Sequence, residues 1–222
     1  MATKLAIVGY GKMGKLIEQL APEYGFTVQV RADVDYQPAD LKGCDVAIEF
    51  STPQAAIGNI ETLAALGIPA VIGTTGWLEH MDRARVAVEK GGAGLVWAAN
   101  FSIGVNVFLR AVHETARLLA NEPAYGAWAW EIHHHTKIDA RSGTLLALLR
   151  EMQAAGYARP IDVSSNRAGA HPGTHEIGFD SGADTITLRH TARSREGFAR
   201  GALKAAQWIP GKKGVFEFKE IL

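Results

Sequence analysis

Between Glu131 and Thr144 the chain reads EIHHHTKIDARSGT, which sets three histidines, a lysine, an arginine and two acidic residues directly before an apolar helical run. Histidine is the side chain that takes up and releases protons near neutral pH, and a lysine close by supplies fixed positive charge. Ser142, Gly143 and Thr144 open the run TLLALL, so their amides and the helix dipole make an anion pocket. Together these groups suit a small carboxylate-bearing ligand, with His133 delivering a proton and Lys137 and His134 adding charge and hydrogen bonds. Alternation along an extended segment sends His133 and His135 to one face and His134 to the other, so the three histidines do not share one role. Zinc is the rival chemistry. Adjacent histidines in an extended segment chelate one ion poorly, and neither H-E-x-x-H nor a cysteine pair is present, so no metal ligands are expected. Alone, the motif also reads as a serine cap beside a surface lysine.

A second set of residues belongs to nucleotide chemistry. Gly9, Gly11 and Gly14 form G-x-G-x-x-G between a strand and a helix in KLAIVGYGKMGKLIEQLA, where missing side chains let backbone amides meet a pyrophosphate. A glycine turn needed only for packing is the plain alternative. Asp35, or Asp33 beside it, follows the second strand about 20 residues beyond the last glycine, where a carboxylate accepts hydrogen bonds from ribose hydroxyls and repels a 2′-phosphate. NADH is therefore expected over NADPH. Lys12 and Arg31 are the cations within reach of a phosphate, and a solvated surface role is favoured for Arg31. Three further turns, EFSTP, GTTGW and AANFS, follow apolar strands, at the strand ends where such sheets bind ligands. Gly73, Thr74 and Thr75 would let backbone approach a nicotinamide, and Asn100 and Phe101 would contact its amide and ring.

The elements that must hold these residues follow from periodicity. Short apolar strands alternate with helical segments as far as AAN, which predicts a doubly wound parallel sheet. In STPQAAIGNIETLAALG a Ser or Thr cap precedes Pro53, and Gly67 marks the stop. VNVFLRAVHETARLLA then gives a long amphipathic helix and YGAWAWEIHHH a strand, so a second lobe begins near Ser102. IDVSSNRAG, GTHEIGFDS and DTITLRHTA read as strands of a largely antiparallel sheet. SREGFARGALKAAQWI is a serine-capped helix, and GVFEFKEIL returns to the first lobe. The expected division is 1–101 with 208–222 as a dinucleotide-binding domain, and 102–207 as a smaller α/β domain.

Composition narrows the partners. Twenty-three basic residues balance 23 acidic ones, so no net field favours nucleic acid or an anionic membrane. The single Cys44 leaves no internal disulfide and fits a reducing compartment, and the N-terminus runs from MATK straight into a strand. A cytoplasmic protein is expected.

EIHHHTKIDARSGT resembles the E-L/I-H-H-x-x-K-x-D-A-P-S-G-T signature of the 4-hydroxy-tetrahydrodipicolinate (dihydrodipicolinate) reductase family. GYGKMG, GTTGW, AANFSIGVN, GTHEIGF and HTARSREGFARGALKAAQWI resemble family segments in the same order, so the resemblance spans essentially the whole chain. It implies a Rossmann domain plus a mixed α/β domain that binds substrate and builds a homotetramer. It also implies NAD(P)H-dependent reduction to tetrahydrodipicolinate in the diaminopimelate route to lysine. By resemblance His133 is the general acid/base and Lys137 the second proton donor, while His134, Ser142, Gly143 and Thr144 hold the substrate carboxylates. The cofactor positions are Gly9, Tyr10, Gly11, Lys12, Met13, Gly14, Asp35, Phe50, Ser51, Gly73, Thr74, Thr75, Ala98, Ala99, Asn100 and Phe101. Three departures stand out: Arg141 replaces the proline before Ser-Gly-Thr, the glycine loop is tighter than G-x-x-G-x-M-G, and Tyr36 follows Asp35 where an arginine can grip a 2′-phosphate. The last two keep the expectation on NADH. Alternatives are an NAD-dependent reductase of another small dicarboxylate, which only the second lobe separates, and a non-catalytic NADH-sensing protein.

Overall fold

In the computed structural model, which describes residues 2–222, the chain divides into two units, one ending at Ser102 and joined by Glu196–Leu222, the other Ile103–Arg195. The first is built on six parallel strands, β1 (Thr3–Val8), β2 (Phe26–Ala32), β3 (Val46–Glu49), β4 (Ala70–Ile72), β5 (Gly94–Trp97) and β10 (Gly214–Glu217). Their spatial order is β10-β5-β4-β3-β1-β2. Helices α1 (Lys12–Leu20), α2 (Pro53–Ala65), α3 (Met81–Gly91) and α6 (Glu196–Trp208) belong to the same unit. Leu5 to Val8 and Val46 to Ile48 are all buried, as central parallel strands covered on both faces require. Thr52 is the cap of α2, accepting from the Ala55 amide at 3.4 Å with Pro53 behind it.

The return to the first unit begins at Glu196 rather than at 208. The reason is the buried face of α6. Ala199, Ala202, Leu203, Ala205 and Ala206 are fully buried, and a Cβ on Gly201 would stand 1.7 Å from the Phe101 carbonyl oxygen. A face of such small residues lets the helix lie directly against α1, β3 and β4.

The second unit carries α4 (Ile103–Leu119), β6 (Gly126–His133), α5 (Gly143–Ala154), β7 (Ile161–Arg167), β8 (Thr174–Asp180) and β9 (Thr185–Thr191). Its sheet runs β7-β6-β8-β9, with β6 parallel to β7 and antiparallel to β8, and β8 antiparallel to β9. The sheet is thus largely antiparallel, as expected, with one parallel pair: α5 crosses between β6 and β7, and a crossover returns its strand parallel. Phe108, Val112, Leu145, Leu148, Met152, Ile177 and Phe179 form the core where α4 and α5 cover the sheet.

Register decides where that core turns polar. Val163, Ala129, Ile177 and Leu188 stand side by side across the four strands, and two residues toward the β6 carboxyl end the row becomes Ser165, Glu131, His175 and His190. Strand period 2 keeps both rows on one face. Glu131, His133 and His175 are accordingly buried.

Candidate active site

The nucleotide-type residues lie in the first unit. Gly9 has φ +91°, and a Cβ there would fall 2.1 Å from the Phe50 carbonyl oxygen. One on Gly14 would fall 2.5 Å from the Gly9 oxygen, which fixes the close approach of α1 to the loop. Gly11 differs: a Cβ would meet nothing within 4 Å, and this N-cap position supplies no side-chain hydrogen bond. The first-turn amides of α1 are thus left for an anion. Tyr10, Lys12 and Met13 sit in the same turn, Lys12 exposed. Glu18 accepts from the Tyr10 hydroxyl and from Arg31, whose Nε lies 2.8 Å from Glu18 Oε1, so the arginine is tied down along the surface.

Strand β2 ends at Ala32, and Asp33 and Asp35 lie exposed in the turn beyond it, closed by the Tyr36 amide donating to the Asp33 carbonyl at 3.2 Å. The Tyr36 hydroxyl donates to Asn59 Oδ1 at 2.9 Å, and Asn59 in turn donates to Glu49 Oε1 at 3.2 Å. Glu49 is fully buried and also accepts from the Ser51 amide at 3.1 Å. That amide lies 2.7 Å from Thr74 Oγ1 as well, which joins the turns after β3 and β4. Glu49 and Asn59 carry this linkage, and the sequence reading missed both; a carboxylate inside the apolar run DVAIEF was the available signal.

Gly73 lies under the Phe50 ring, with 2.1 Å between its virtual Cβ and Phe50 Cζ. Thr74 is buried and accepts from Trp77 Nε1 at 2.9 Å through its carbonyl, whereas Thr75 is exposed. After β5, Ala98 is buried and Ala99 exposed, and Asn100 accepts from the Ser102 amide at 2.9 Å. Phe101 departs from its expected role. It is 2% exposed, packed edge-on to Phe50 and tilted against Phe218, so its ring supports the turn instead of presenting a free face to a ligand.

The proton-handling motif lies in the second unit. Strand β6 stops at His133, so the expected alternation ends there: the Lys137 amide donates to the His134 carbonyl at 3.1 Å, and His135 instead joins Gly169, its amide donating to that carbonyl at 3.1 Å. His134 Nδ1 pairs with Thr136 Oγ1 at 2.7 Å, and Lys137 Nζ lies 2.8 Å from Asp139 Oδ1. Ser142 caps α5, accepting from the Leu145 amide at 3.2 Å. Its own amide donates to Glu131 Oε1 at 3.0 Å, leaving Gly143 and Thr144 as the remaining first-turn donors.

Glu131 is the hub that the sequence reading passed over. Its Oε1 also accepts from Ser165 Oγ at 2.9 Å and from Arg167 Nη2 at 2.9 Å. Its Oε2 lies 3.5 Å from His133 Nδ1 and 3.4 Å from His175 Nε2, and Ser142 Oγ meets His175 Nε2 at 3.0 Å. Burial would raise the Glu131 carboxyl, but the nearby His175 and the hydrogen bonds from Ser142 and Arg167 outweigh it and hold it well below the usual carboxylate range. Burial pushes His133 down to about 4 against the opposing pull of Glu131, with His175, Lys137 and Arg167 deepening the depression. His133 is therefore neutral at pH 7 in the free protein.

The ligand atoms of Glu131, His133 and His175 lie within 4.8 Å of one another, a three-donor grouping drawn from two strands. Spacing along one strand does not reveal it. Arg167 already supplies this carboxylate with a cation, and Ser142 engages His175, so the donors are committed to a charge network.

Arg141 has φ +34°, and no other non-glycine residue among those described has positive φ. Proline is held near −65°, so the turn here is not the one a proline would make. Arg141→Gly is expected to leave the melting temperature unchanged or raise it, by up to ~1 kcal/mol of relieved strain. Arg141→Pro should lower stability by ~2 kcal/mol or more. Thermal melts of the two variants check both, and an Arg141→Pro protein as stable as wild type would contradict this turn geometry.

Comparison with known proteins gives a consistent result. Residues 3–101 match the family model described as dihydrodipicolinate reductase, N-terminus, and residues 104–222 match its C-terminus. A 4-hydroxy-tetrahydrodipicolinate reductase of Christiangramia forsetii is 36% identical, covering 98% of this chain and 97% of the relative. One from Thiobacillus denitrificans is 31% identical over 100% of this chain and 99% of the relative. A dipicolinate-bound dihydrodipicolinate reductase from Paenisporosarcina superposes with a TM-score of 0.88 at 20% identity, covering 100% of both chains, and shares the fold.

Proposed function

The chain belongs to the dihydrodipicolinate reductase family, and from that premise we propose that it reduces 4-hydroxy-tetrahydrodipicolinate to tetrahydrodipicolinate in lysine biosynthesis. The carrying observation is that one buried carboxylate joins the histidine at the end of β6 to the first turn of α5. A proton donor and an anion clamp are thereby fixed to the same point.

Loss of the 4-hydroxyl as water leaves a conjugated cyclic imine with two carboxylates. A pyridine nucleotide, when bound, supplies the hydride for its reduction, and one proton completes the product. The Gly11 opening and the uncapped start of α1 fit the pyrophosphate of such a cofactor. The Gly143 and Thr144 amides, with Ser142 holding the turn, bind one substrate carboxylate at the positive end of α5. Lys137 turns from Asp139 toward the substrate, and His134 adds a hydrogen bond. A dianion beside His133 raises its proton affinity from about 4 toward the working range, so substrate binding itself arms the proton donor. Fixing both carboxylates also holds the reacting carbon in one place.

NADH is the preferred cofactor in this reading. Asp35 supplies a carboxylate for the ribose, and Arg31, one of the two cations that could otherwise grip a 2′-phosphate, is engaged by Glu18. Assembly as a homotetramer through the second unit fits the exposed Val107, Leu118, Leu146 and Ile186 on its α4, α5 and β9. A cytoplasmic location fits the pathway, and among the described residues no helix is long and apolar enough to cross a membrane.

The deciding experiment follows NADH and NADPH absorbance at matched concentrations, with the substrate made in situ by condensing pyruvate and aspartate semialdehyde on its synthase. Substrate-dependent oxidation, faster with NADH, is expected, and Asp35→Ala should narrow the difference. Folded protein that binds NADH but oxidises neither nucleotide would overturn the reading.

A further inference from the structure

Four charged or titratable groups face His133: Glu131 on its own strand, Lys137 in the following turn, Arg167 on β7 and His175 on β8. Only Glu131 is anionic. Its Oε2 and the His133 Nδ1 atom 3.5 Å away are both buried without a hydrogen-bond partner among the described residues. An ionised carboxylate can only accept, so the imidazole nitrogen turned toward it is the one that carries hydrogen. The other nitrogen, Nε2, faces Gly173, where φ is +137° and a Cβ would stand 3.0 Å from it. The same carboxylate holds the Ser142 amide through Oε1, and His175 braces the assembly between Glu131 and the Ser142 hydroxyl.

We propose that Glu131 is a positioning residue for the reaction: one carboxylate fixes the Nδ1-protonated tautomer of His133, keeps Nε2 as the working nitrogen, and anchors the first turn of α5. His175 is its brace. The inference rests on the assignment of His133 as the proton donor. Glu131 touches neither substrate nor cofactor in this scheme and acts through His133 and Ser142. Its position in the sheet gives it that reach, because Ser165, Glu131 and His175 are direct neighbours across β7, β6 and β8.

The test separates charge from hydrogen bonding. Glu131→Gln keeps an acceptor for Ser142 and Arg167 but removes the anion. Its kcat at neutral pH is expected to fall about 10- to 100-fold with KM within about threefold. The proton donor must be protonated to act, so kcat falls as pH rises through its pKa in the substrate complex. Without the anion that pKa drops, and the alkaline limb of the kcat profile moves to lower pH by about one unit or more. Glu131→Asp keeps the charge but withdraws it from both partners, so kcat falls while the limb stays nearer the wild-type position. NADH binding, measured by fluorescence, should be unchanged in every folded variant. A Glu131→Gln enzyme with wild-type kcat and an unmoved pH limb overturns the proposal. Should that variant not fold, wild-type kcat and KM in Glu131→Asp overturn it instead. If His133→Gln itself keeps near wild-type kcat, the assignment of the proton donor fails; if only the Glu131 variants are silent, the positioning role alone is lost.

Discussion

His133→Gln is expected to lower kcat by about two to four orders of magnitude while leaving NADH affinity within about twofold of wild type. Glutamine fills much of the imidazole volume and retains hydrogen-bonding atoms, so the buried position between Glu131, His175 and Gly173 is not emptied. What is lost is a group able to carry a proton to the substrate. The residue lies in the second unit, whereas the glycine loop and the turns after β3, β4 and β5 lie in the first, so nucleotide affinity is the internal control. Single-turnover absorbance with NADH and in situ substrate, with NADH fluorescence titration, checks both halves. A variant that loses NADH affinity in a folded state would contradict the placement of His133 on the substrate side.

A second large effect is expected in the first unit, where Gly9→Ala and Gly11→Ala should part company. At Gly9 an added methyl meets the Phe50 carbonyl oxygen at 2.1 Å, and φ +91° disfavours any side chain. The loop must shift relative to β3, with a stability loss of ~2 kcal/mol or more and, through it, loss of cofactor binding. Gly11 has φ −81° and open space where its Cβ would stand. Gly11→Ala should melt within about a degree of wild type yet bind NADH about tenfold or more weakly, because the methyl occupies the approach to the helix amides. Thermal melts and fluorescence titration on the same samples decide this. Wild-type NADH affinity in Gly11→Ala would show that the pyrophosphate does not sit over this turn.

Much was legible in the linear chain because it depends on neighbours in sequence. The strand, glycine loop and helix at Gly9 to Gly14, the Thr52 and Ser142 caps, and the switch from a parallel sheet to a second lobe all arise from local periodicity and turn chemistry. His133, Lys137 and Ser142 to Thr144 stand out for the same reason: proton source, cation and helix start are close along the chain. Their expected partners were less secure. Lys137 is held by Asp139, and His135 turns to Gly169 because β6 ends two residues earlier than the alternation required.

Strand register, settled only by tertiary packing, decided the rest. Glu131 reads as one more acidic residue in a charged motif until β7 and β8 bring Ser165, Arg167 and His175 alongside it from 34, 36 and 44 positions away in the chain. The α6 helix likewise looks like part of the second lobe until its small-residue face finds the first unit's sheet. Local spacing fixes which side chains one strand or turn presents, but a buried charge is viable only when other strands deliver its partners, and those partners are chosen by the pairing of the sheet.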